Sequence, residues 1–160
     1  SKASNEVIEL AEKLQSPVTT TLLGKGAFPE NHDLSVGMLG MHGTAYANKA
    51  VVGCDLIFAI GARWDDRITG KVSEFCPTAK KIHIDIDRAE FGKIIDPDVS
   101  IEGDAKLVLQ DLIPLVKKLN SDPWLNQIKK WSIGEIKVLR LHLVRLLQLK
   151  MQNLLLKAKS

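Results

Sequence analysis

The strongest constraint on the fold of this chain is a continuous apolar run at residues 55–60, in which only the leading Asp55 is polar and which ends at Gly61. Strands of parallel sheets are covered by helices on both faces, so they read as unbroken apolar segments rather than alternating ones. We therefore predict a strand at 55–60 that is buried on both faces.

Three other segments have strand patterns. β-branched residues dominate 17–23, which stops at Gly24-Lys25-Gly26, and this glycine pair is read as a plain strand-to-loop turn rather than a ligand loop. Isoleucines at alternate positions of 81–87 share one face of a strand whose last residues are carboxylates. A shorter strand is predicted at 99–101, before Gly103.

Helices alternate with these strands. Apolar residues at helical spacing predict helices at 5–14, 44–52 and 105–119. Ser4 and Asp104 are candidate N-caps, Gly53 stands near the end of the second helix, and Pro114 should kink or break the third. This alternation predicts an α/β domain with an open, mostly parallel sheet, in which ligands lie over the carboxyl ends of the strands.

The loop at 37–44 is the first candidate ligand-binding segment. Gly37, Gly40 and Gly43 recur at every third position, so the backbone could approach a phosphate or a flat ring without a Cβ in the way. A flexible loop is the alternative, because the usual dinucleotide fingerprint and its helix start are absent. His42 has no second His or Cys at metal-ligand spacing, which favours a hydrogen-bonding or stacking role.

The loop at 61–67 is the second candidate. Arg63 and Arg67 follow a predicted strand, where a guanidinium could hold a phosphate through two parallel hydrogen bonds. Asp65 and Asp66 could instead form surface ion pairs with these arginines, and that structural interpretation stays open.

Carboxylates at other strand ends extend this pattern. Asp85 and Asp87 resemble the acidic groups that bind ribose hydroxyls in dinucleotide folds, although a solvated strand end explains them nearly as well. Helix capping alone is sufficient to explain Asp104. No general acid and base pair, activated nucleophile or metal cluster can be assembled from these residues, so the pattern indicates a binding domain for an anionic, nucleotide-like ligand.

Composition sets further limits. A net charge of +3 is too small to indicate nucleic-acid binding, and residues 136–160 alone carry six Lys or Arg and no Asp or Glu. Cys54 and Cys76 lack metal or redox spacing and are expected to be reduced, partly buried thiols. No signal peptide or membrane-length apolar run is found, and membrane association is not expected.

Five motifs together resemble the large catalytic subunit of the acetolactate synthase family. They are residues 17–29 (PVTTTLLGKGAFP), 37–48 (GMLGMHGTAYAN), 61–71 (GARWDDRITGK), 83–87 (HIDID, followed by Glu90 and Gly92-Lys93) and 103–107 (GDAKL). The resemblance covers about residues 4–119 and extends toward Trp131. It implies that residues 1–131 form a three-layer, Rossmann-like central domain. Residues 132–160 would then be a divergent, basic, Leu-rich tail, predicted to be helical and read as a broken end or as an amphipathic helix seeking a partner.

The resemblance implies a specific ligand. Members of this family condense two pyruvates, or pyruvate with 2-oxobutyrate, with thiamine diphosphate and Mg²⁺, and their central domain binds FAD. The flavin contacts would be Thr21, Leu22, Leu39, Gly40, Met41, His42, Gly61, Ala62, Arg63, Trp64, Asp65, Arg67, Asp85, Ile86, Asp104 and Ala105. Met41, Asp66 and Arg67 would also lie near the channel that leads to the thiamine site. Trp64 stands where the family usually has Phe.

The resemblance also implies what this chain does not do alone. The Gly-Asp-Gly thiamine motif is absent, as is the domain with the glutamate that activates the thiamine ring, so we predict no catalytic and no metal-binding residues here. Expected partners are FAD, the remaining domains, a second catalytic subunit and a regulatory small subunit, in the cytoplasm or in a plastid. A free-standing, non-catalytic flavin-binding module or a gene remnant is the alternative.

Overall fold

Five strands in two parallel sheets form the framework of the domain, in a computed structural model that describes residues 2–134. β1 (Val18–Thr20) pairs with β2 (Ser35–Met38), and β3 (Leu56–Ile60), β4 (Lys80–Asp85) and β5 (Val99–Glu102) form the second sheet in that order. All three strand pairings are parallel. The predicted α/β class with a parallel sheet is confirmed.

Helices cover both faces of the three-stranded sheet. α1 (Ser4–Leu14) and α4 (Ala105–Leu112) pack on one face, where Leu10 and Leu109 meet the fully buried Ile84. α2 (Ala45–Val52) contributes Val51 to the cluster on the other face, which also contains Trp64, Phe75 and Ala59. The domain therefore has three layers, with the sheet between two layers of helices.

The remaining helical segments are short, apart from a helix at 122–134. α3 (Asp66–Thr69) is a single turn, and three 3₁₀ turns lie at Val72–Glu74, Arg88–Glu90 and Ile113–Leu115. The helix at 122–134 places Ile128 and the rings of Trp124 and Trp131 against α2. It runs across the predicted domain boundary at residue 131, and the predicted tail helix beyond residue 134 lies outside the described residues.

The helix signals were partly correct. Asp104 caps α4 by accepting hydrogen bonds from the amides of Lys106 (2.9 Å) and Leu107 (3.4 Å), and Gly53 is the C-cap of α2. The third helix ends at Leu112 rather than residue 119, because Pro114 lacks the N–H that an α-helix needs and sits in a 3₁₀ turn. The predicted cap at Ser4 is wrong: the N-cap position is Ala3, and no side chain among the described residues caps α1.

The strand predictions need three corrections. β1 ends at Thr20 because Thr21 starts a turn closed by the amide of Gly24, which leaves Leu23 93% exposed. β2 was missed, since its sequence Ser-Val-Gly-Met lacks both alternation and a continuous apolar run. The strand at 55–60 is not buried throughout: Leu56 is 44% exposed, because in the described part of the chain no strand pairs with the outer edge of β3.

Candidate functional site

Three predicted ligand segments meet at the carboxyl ends of the three-stranded sheet. The amide of Gly61, just after β3, donates to the carbonyl of Ile84 (2.8 Å), and the amide of Gly103 donates to the carbonyl of Asp85 (3.0 Å). The segments 61–62, 85–86 and 104–105 are therefore neighbours on one rim, as expected for the ends of adjacent parallel strands.

The other two segments meet at the corresponding end of the smaller sheet. The amide of Leu39 donates to the carbonyl of Thr20 (3.3 Å), so residues 39–42 lie beside the turn that holds Thr21 and Leu22. The amide of Met41 donates to the carbonyl of Arg67 (2.9 Å), which joins this loop to the loop after β3. All five predicted segments thus lie along one edge of the domain.

The glycines of the 37–44 loop are explained by contacts within the protein. Gly40 has φ +96°, and a Cβ there would stand 2.5 Å from the carbonyl oxygen of Arg67. A Cβ on Gly43 would overlap the carbonyl oxygen of Met38. These two glycines let protein backbones approach each other, so their spacing is not evidence of ligand contact.

The amides of the same loop are also largely occupied. Asn48 holds Gly40 from both sides, since its Oδ1 accepts from the Gly40 amide and its Nδ2 donates to the Gly40 carbonyl, each at 3.1 Å. The Gly43 amide donates to the carbonyl of Gly40 and the Thr44 amide to the carbonyl of Met38. A phosphate would find few free donors in this loop.

The loop after β3 differs from the 37–44 loop, because its backbone is open and several of its donors are unoccupied. A Cβ on Gly61, whose φ is +59°, would have no atom of the described residues within 4 Å, so in this part of the chain the backbone borders open space. Within residues 2–134, the amides of Ala62 and Arg63 have no hydrogen-bond acceptor. The side chains of Arg63 and Arg67 are exposed, and in this part of the chain neither forms an ion pair with Asp65 or Asp66. Free amides and unpaired guanidinium groups favour an anionic ligand over the structural ion-pair interpretation.

Trp64 differs from its neighbours because its side chain belongs to the core. The residue is 6% exposed, and its ring packs edge-on against Phe75, with 5.8 Å between centroids. Its indole Nε1 donates to Nδ1 of His83 at 3.2 Å. Any ligand contact at this position is therefore restricted to the backbone.

His83 is a residue to which the sequence pattern assigned no role. Its side chain is fully buried, and Nδ1 accepts from Trp64. Within residues 2–134, Nε2 has no hydrogen-bond partner, and the nearest oxygen of Asp85 is 3.7 Å away. Burial lowers the pKa of His83 below its ordinary value, while the nearby carboxylate of Asp85 opposes this shift. The imidazole is thus held neutral, with its proton on Nε2.

This burial gives a pH dependence of stability. Because the folded-state pKa of His83 lies below the unfolded value, the unfolded chain binds the proton first as the pH falls, and the stabilisation is lost below about pH 6.5. We expect the free energy of unfolding to decrease between pH 7 and pH 5, by at most about 1.4 kcal/mol per pH unit from this residue. Urea unfolding at each pH measures it.

The matched variant for this prediction is His83→Gln. A glutamine can accept from Trp64 through its amide oxygen but does not titrate, so its unfolding free energy should fall less steeply over the same pH range. The other ionisable groups are present in both proteins, so the difference between the two slopes reports His83. Identical slopes in the wild type and the variant would contradict the role of His83.

The predicted acidic residues have separate structural roles. The two oxygens of Asp85 face the amide of Asp87 (2.9 Å) and the ring of His83, and its side chain is 12% exposed. Asp104 is occupied as a helix cap. Asp65 keeps one buried carboxylate oxygen, Oδ1, without any hydrogen-bond partner among residues 2–134. A buried acceptor without a partner lowers the stability of the fold. A hydrogen-bond donor bound beside Asp65 would therefore stabilise the protein.

A cavity of about 570 Å³ lies next to this loop. Met41, Asp66 and Arg67, the three residues expected near a channel, all line it, together with Gly70 and Phe75. Met41 is 75% exposed, so the cavity has an apolar and readily accessible rim. The arrangement brings the two predicted loops to one opening, while the channel itself stays a prediction.

Sequence reasoning missed the roles of two residues at the site, Asn48 and His83. Asn48 ends the quoted motif at 37–48, and a helical Asn one turn after an N-cap is a reason to expect a contact with the preceding loop. His83 stands between two isoleucines in a strand, yet its burial depends on Trp64, which lies 19 residues away. The role of Asn48 could therefore have been predicted from a local pattern, whereas that of His83 could not.

Several general features accompany the site. In the part of the chain that the structure describes, no cluster of three or more His, Cys, Asp or Glu could hold a metal ion, and no helix is long and apolar enough to cross a membrane. Cys54 and Cys76 are free thiols, half-buried and buried respectively. The Cys76 thiol donates to the carbonyl of Val51 (2.9 Å), and the neighbouring Cys54 together with burial raises the pKa of Cys76.

Comparison with known proteins identifies the family to which this chain is similar. Residues 1–112 match the model of the thiamine pyrophosphate enzyme central domain. The chain is 51% identical over 139 residues to the acetolactate synthase large subunit of Cyanidium caldarium, covering 82% of this chain and 24% of that protein. It is 54% identical over 127 residues to that of Parasynechococcus marenigrum, covering 77% and 21%. A probable acetolactate synthase large subunit of Methanocaldococcus jannaschii is 52% identical over 139 residues, covering 83% and 24%.

Proposed function

The chain belongs to the thiamine pyrophosphate enzyme central-domain family and corresponds to that part of acetolactate synthase large subunits, and on this premise we propose that it binds FAD. It spans about a quarter of the length of the relatives it matches. The observation that carries the proposal is the loop after β3, where exposed Arg63 stands beside free amides at the carboxyl ends of the sheet.

The residues present fit the anionic part of the cofactor. The guanidinium of Arg63 and the amides of Ala62 and Arg63 supply donors for a diphosphate, and open space at Gly61 admits the ligand close to the backbone. The carboxylate of Asp85, on the next strand end, accepts from the amide of Asp87 and faces His83, and the remaining lone pairs of its oxygens are the acceptors that we assign to ribose hydroxyls. FAD contributes no net redox step in this family, so these residues bind and orient it.

The other predicted contacts divide into two kinds. Trp64 contributes its backbone only, because its ring lies in the core. Gly40 lets the two loops approach each other, and its proposed cofactor contact is likewise made by its backbone. The exposed side chains of Leu22, Met41 and Ile86 offer apolar surface at the same rim for the flat flavin ring. The contacts of Thr21, Leu39, His42, Asp65, Arg67, Asp104 and Ala105 are proposed on the same basis.

Titration of the 160-residue chain with FAD tests the proposal. We expect a saturable change in flavin fluorescence and anisotropy, together with a rise in melting temperature, because a ligand that binds only the folded state stabilises it. FMN and AMP, each carrying half of the cofactor, should bind more weakly than FAD. If fluorescence and melting temperature stay unchanged up to the solubility limit of FAD, the binding proposal fails.

The activity proposed for the complete enzyme is the condensation of two pyruvates to 2-acetolactate and CO₂, or of pyruvate with 2-oxobutyrate. Thiamine diphosphate and Mg²⁺ would be held by the remaining domains, with a second catalytic subunit and a regulatory small subunit as partners, in the cytoplasm or a plastid. We expect no acetolactate from the chain alone with pyruvate, thiamine diphosphate and Mg²⁺. Measurable product would overturn the assignment of the thiamine site to other domains.

A further inference from the structure

Two cysteines that are far apart in the sequence lie side by side in the fold. The thiol of Cys76 donates a hydrogen bond to the carbonyl of Val51 (2.9 Å), and the backbone amide of Cys54 donates to the same oxygen (3.3 Å). The side chain of Cys54 packs against the core cluster that contains Cys76. The chain has no other cysteine, so a disulfide within one molecule can join only these two.

The two thiols differ in exposure. Cys76 is fully buried, whereas Cys54, which precedes β3, is half-buried. Reactive cysteines are partly exposed and lie near positive charge, while fully buried cysteines are inert toward reagents in solution. A small oxidant such as hydrogen peroxide therefore reaches Cys54 first.

The charges around the pair favour the thiolate of Cys54. The ammonium group of Lys81 is held beside the pair, because it donates to the carbonyls of Cys76 and Ala79, each at 3.0 Å. The neighbouring Cys76 lowers the pKa of Cys54 and Lys81 adds to this effect, while burial and the carboxylate of Asp55 oppose it. Cys54 and burial in turn raise the pKa of Cys76. Cys54 is thus the nucleophile, and Cys76 keeps its proton.

The backbone of Cys76 has an uncommon conformation that fits this pairing. Its φ is +46°, a value that residues other than glycine rarely adopt. The bond from its thiol to Val51 and the bond from Lys81 to its carbonyl both hold this conformation. The thiol is thereby directed to the end of α2, which Cys54 follows closely.

We propose that Cys54 and Cys76 are a peroxide-sensitive thiol pair that closes into a reversible intramolecular disulfide. In the first step, the Cys54 thiolate attacks one oxygen of hydrogen peroxide and the O–O bond breaks. The departing hydroxide takes up the proton that Cys54 released, which leaves the sulfenic acid of Cys54 and one water. In the second step, the sulfur of Cys76 attacks that of Cys54, and an S–S bond forms as the S–O bond breaks. The second hydroxide leaves with the Cys76 proton as water, so two thiols are oxidised and one peroxide is reduced to two waters.

The disulfide would tether both ends of the candidate ligand segment. Residues 54–76 contain β3 and the loop with Arg63, and the cross-link closes them into one covalent ring. Because a cross-link restricts the unfolded chain, the oxidised protein should melt at least about 3 °C higher than the reduced one. A lower melting temperature would contradict the proposal, since the disulfide would then form only by distorting the fold. The proposal does not depend on flavin binding.

Peroxide treatment of the full 160-residue chain tests the proposal without any substitution. We expect both thiols to be lost together, a monomer on non-reducing gels, and one cross-linked peptide that joins Cys54 to Cys76 in a protease digest. Dithiothreitol should restore both thiols. Peptide mapping separates this product from oxidised methionines. Two free thiols after treatment, or disulfides only between molecules, would overturn the proposal.

Two serine variants test the order of the steps. Cys76→Ser keeps a donor for the Val51 carbonyl, so Cys54 should still react but stop at the sulfenic acid, which dimedone traps. In Cys54→Ser, the remaining buried and protonated thiol should react at least about tenfold more slowly than the Cys54 thiol of Cys76→Ser. In concentrated urea, where burial is lost, the two variants should react at similar rates. Equal rates in the folded variants would overturn the assignment of Cys54 as the nucleophile.

Discussion

Replacing Gly40 with alanine should lower the free energy of unfolding by about 3 kcal/mol or more, the upper range for a single backbone substitution. The new Cβ would stand 2.5 Å from the carbonyl oxygen of Arg67. The backbone φ of +96° is also one that residues other than glycine rarely adopt. Relief requires the two loops to move apart, which also breaks the hydrogen bond from Met41 to Arg67. Urea unfolding of the wild type and the variant measures the loss.

Gly26→Ala is the matched control for this prediction. Gly26 has a similar φ of +87°, but a Cβ there would have no atom within 4 Å in the part of the chain that the structure describes. It should therefore cost only the conformational strain of a positive φ, about 1–2 kcal/mol. The difference between the two variants isolates the close approach of the loops. Equal losses would mean that the contact between Gly40 and Arg67 contributes nothing to stability.

Replacing Arg63 with alanine should raise the dissociation constant for FAD about 10- to 150-fold, which corresponds to about 1.5–3 kcal/mol for hydrogen bonds to a charged group. Arg63 is exposed and, in the described part of the chain, has no ion-pair partner, so its loss should leave the fold nearly unchanged. Flavin fluorescence titration measures the affinity, and thermal unfolding without FAD verifies the fold.

Two further variants separate specific contact from general charge. Arg63→Lys keeps the charge but loses the planar pair of donors, so it should restore only part of the affinity. Lys118→Ala removes one exposed positive charge near the end of α1, at the opposite end of the sheet, and should leave FAD affinity within about twofold. A similar loss in Lys118→Ala would indicate that Arg63 acts only through net charge.

Much of the fold was predictable because its signals are local. The apolar run before Gly61 identified β3, the alternating isoleucines identified β4, and Asp104 marked the start of α4. β2 was not predictable in this way. Its Gly37 is held in place by Thr19, whose hydroxyl donates to the Gly37 carbonyl at 2.9 Å, and this contact joins residues 18 positions apart.

The candidate site was predictable to a similar degree. The sequence identified the five segments that meet at one rim, and the apolar and polar patterns were sufficient for that because parallel strands end at the same edge. The sequence pattern could not distinguish a glycine that allows two backbones to approach each other from one that leaves space for a ligand. Gly40 approaches the backbone of Arg67, whereas Gly61 borders open space, and this difference depends on where a distant loop lies.

The amino-acid sequence by itself determined the α/β class, the parallel sheet and the family, because strand and helix periodicity and the motif residues are written along the chain. Only the tertiary structure decided which polar groups are free. It buried Trp64 and His83 together, occupied the amides around Gly40, and left Arg63, the amide of Ala62 and the outer edge of β3 without partners in the described residues. Hydrogen bonding and burial depend on contacts between residues far apart in the sequence, so no local pattern specifies them.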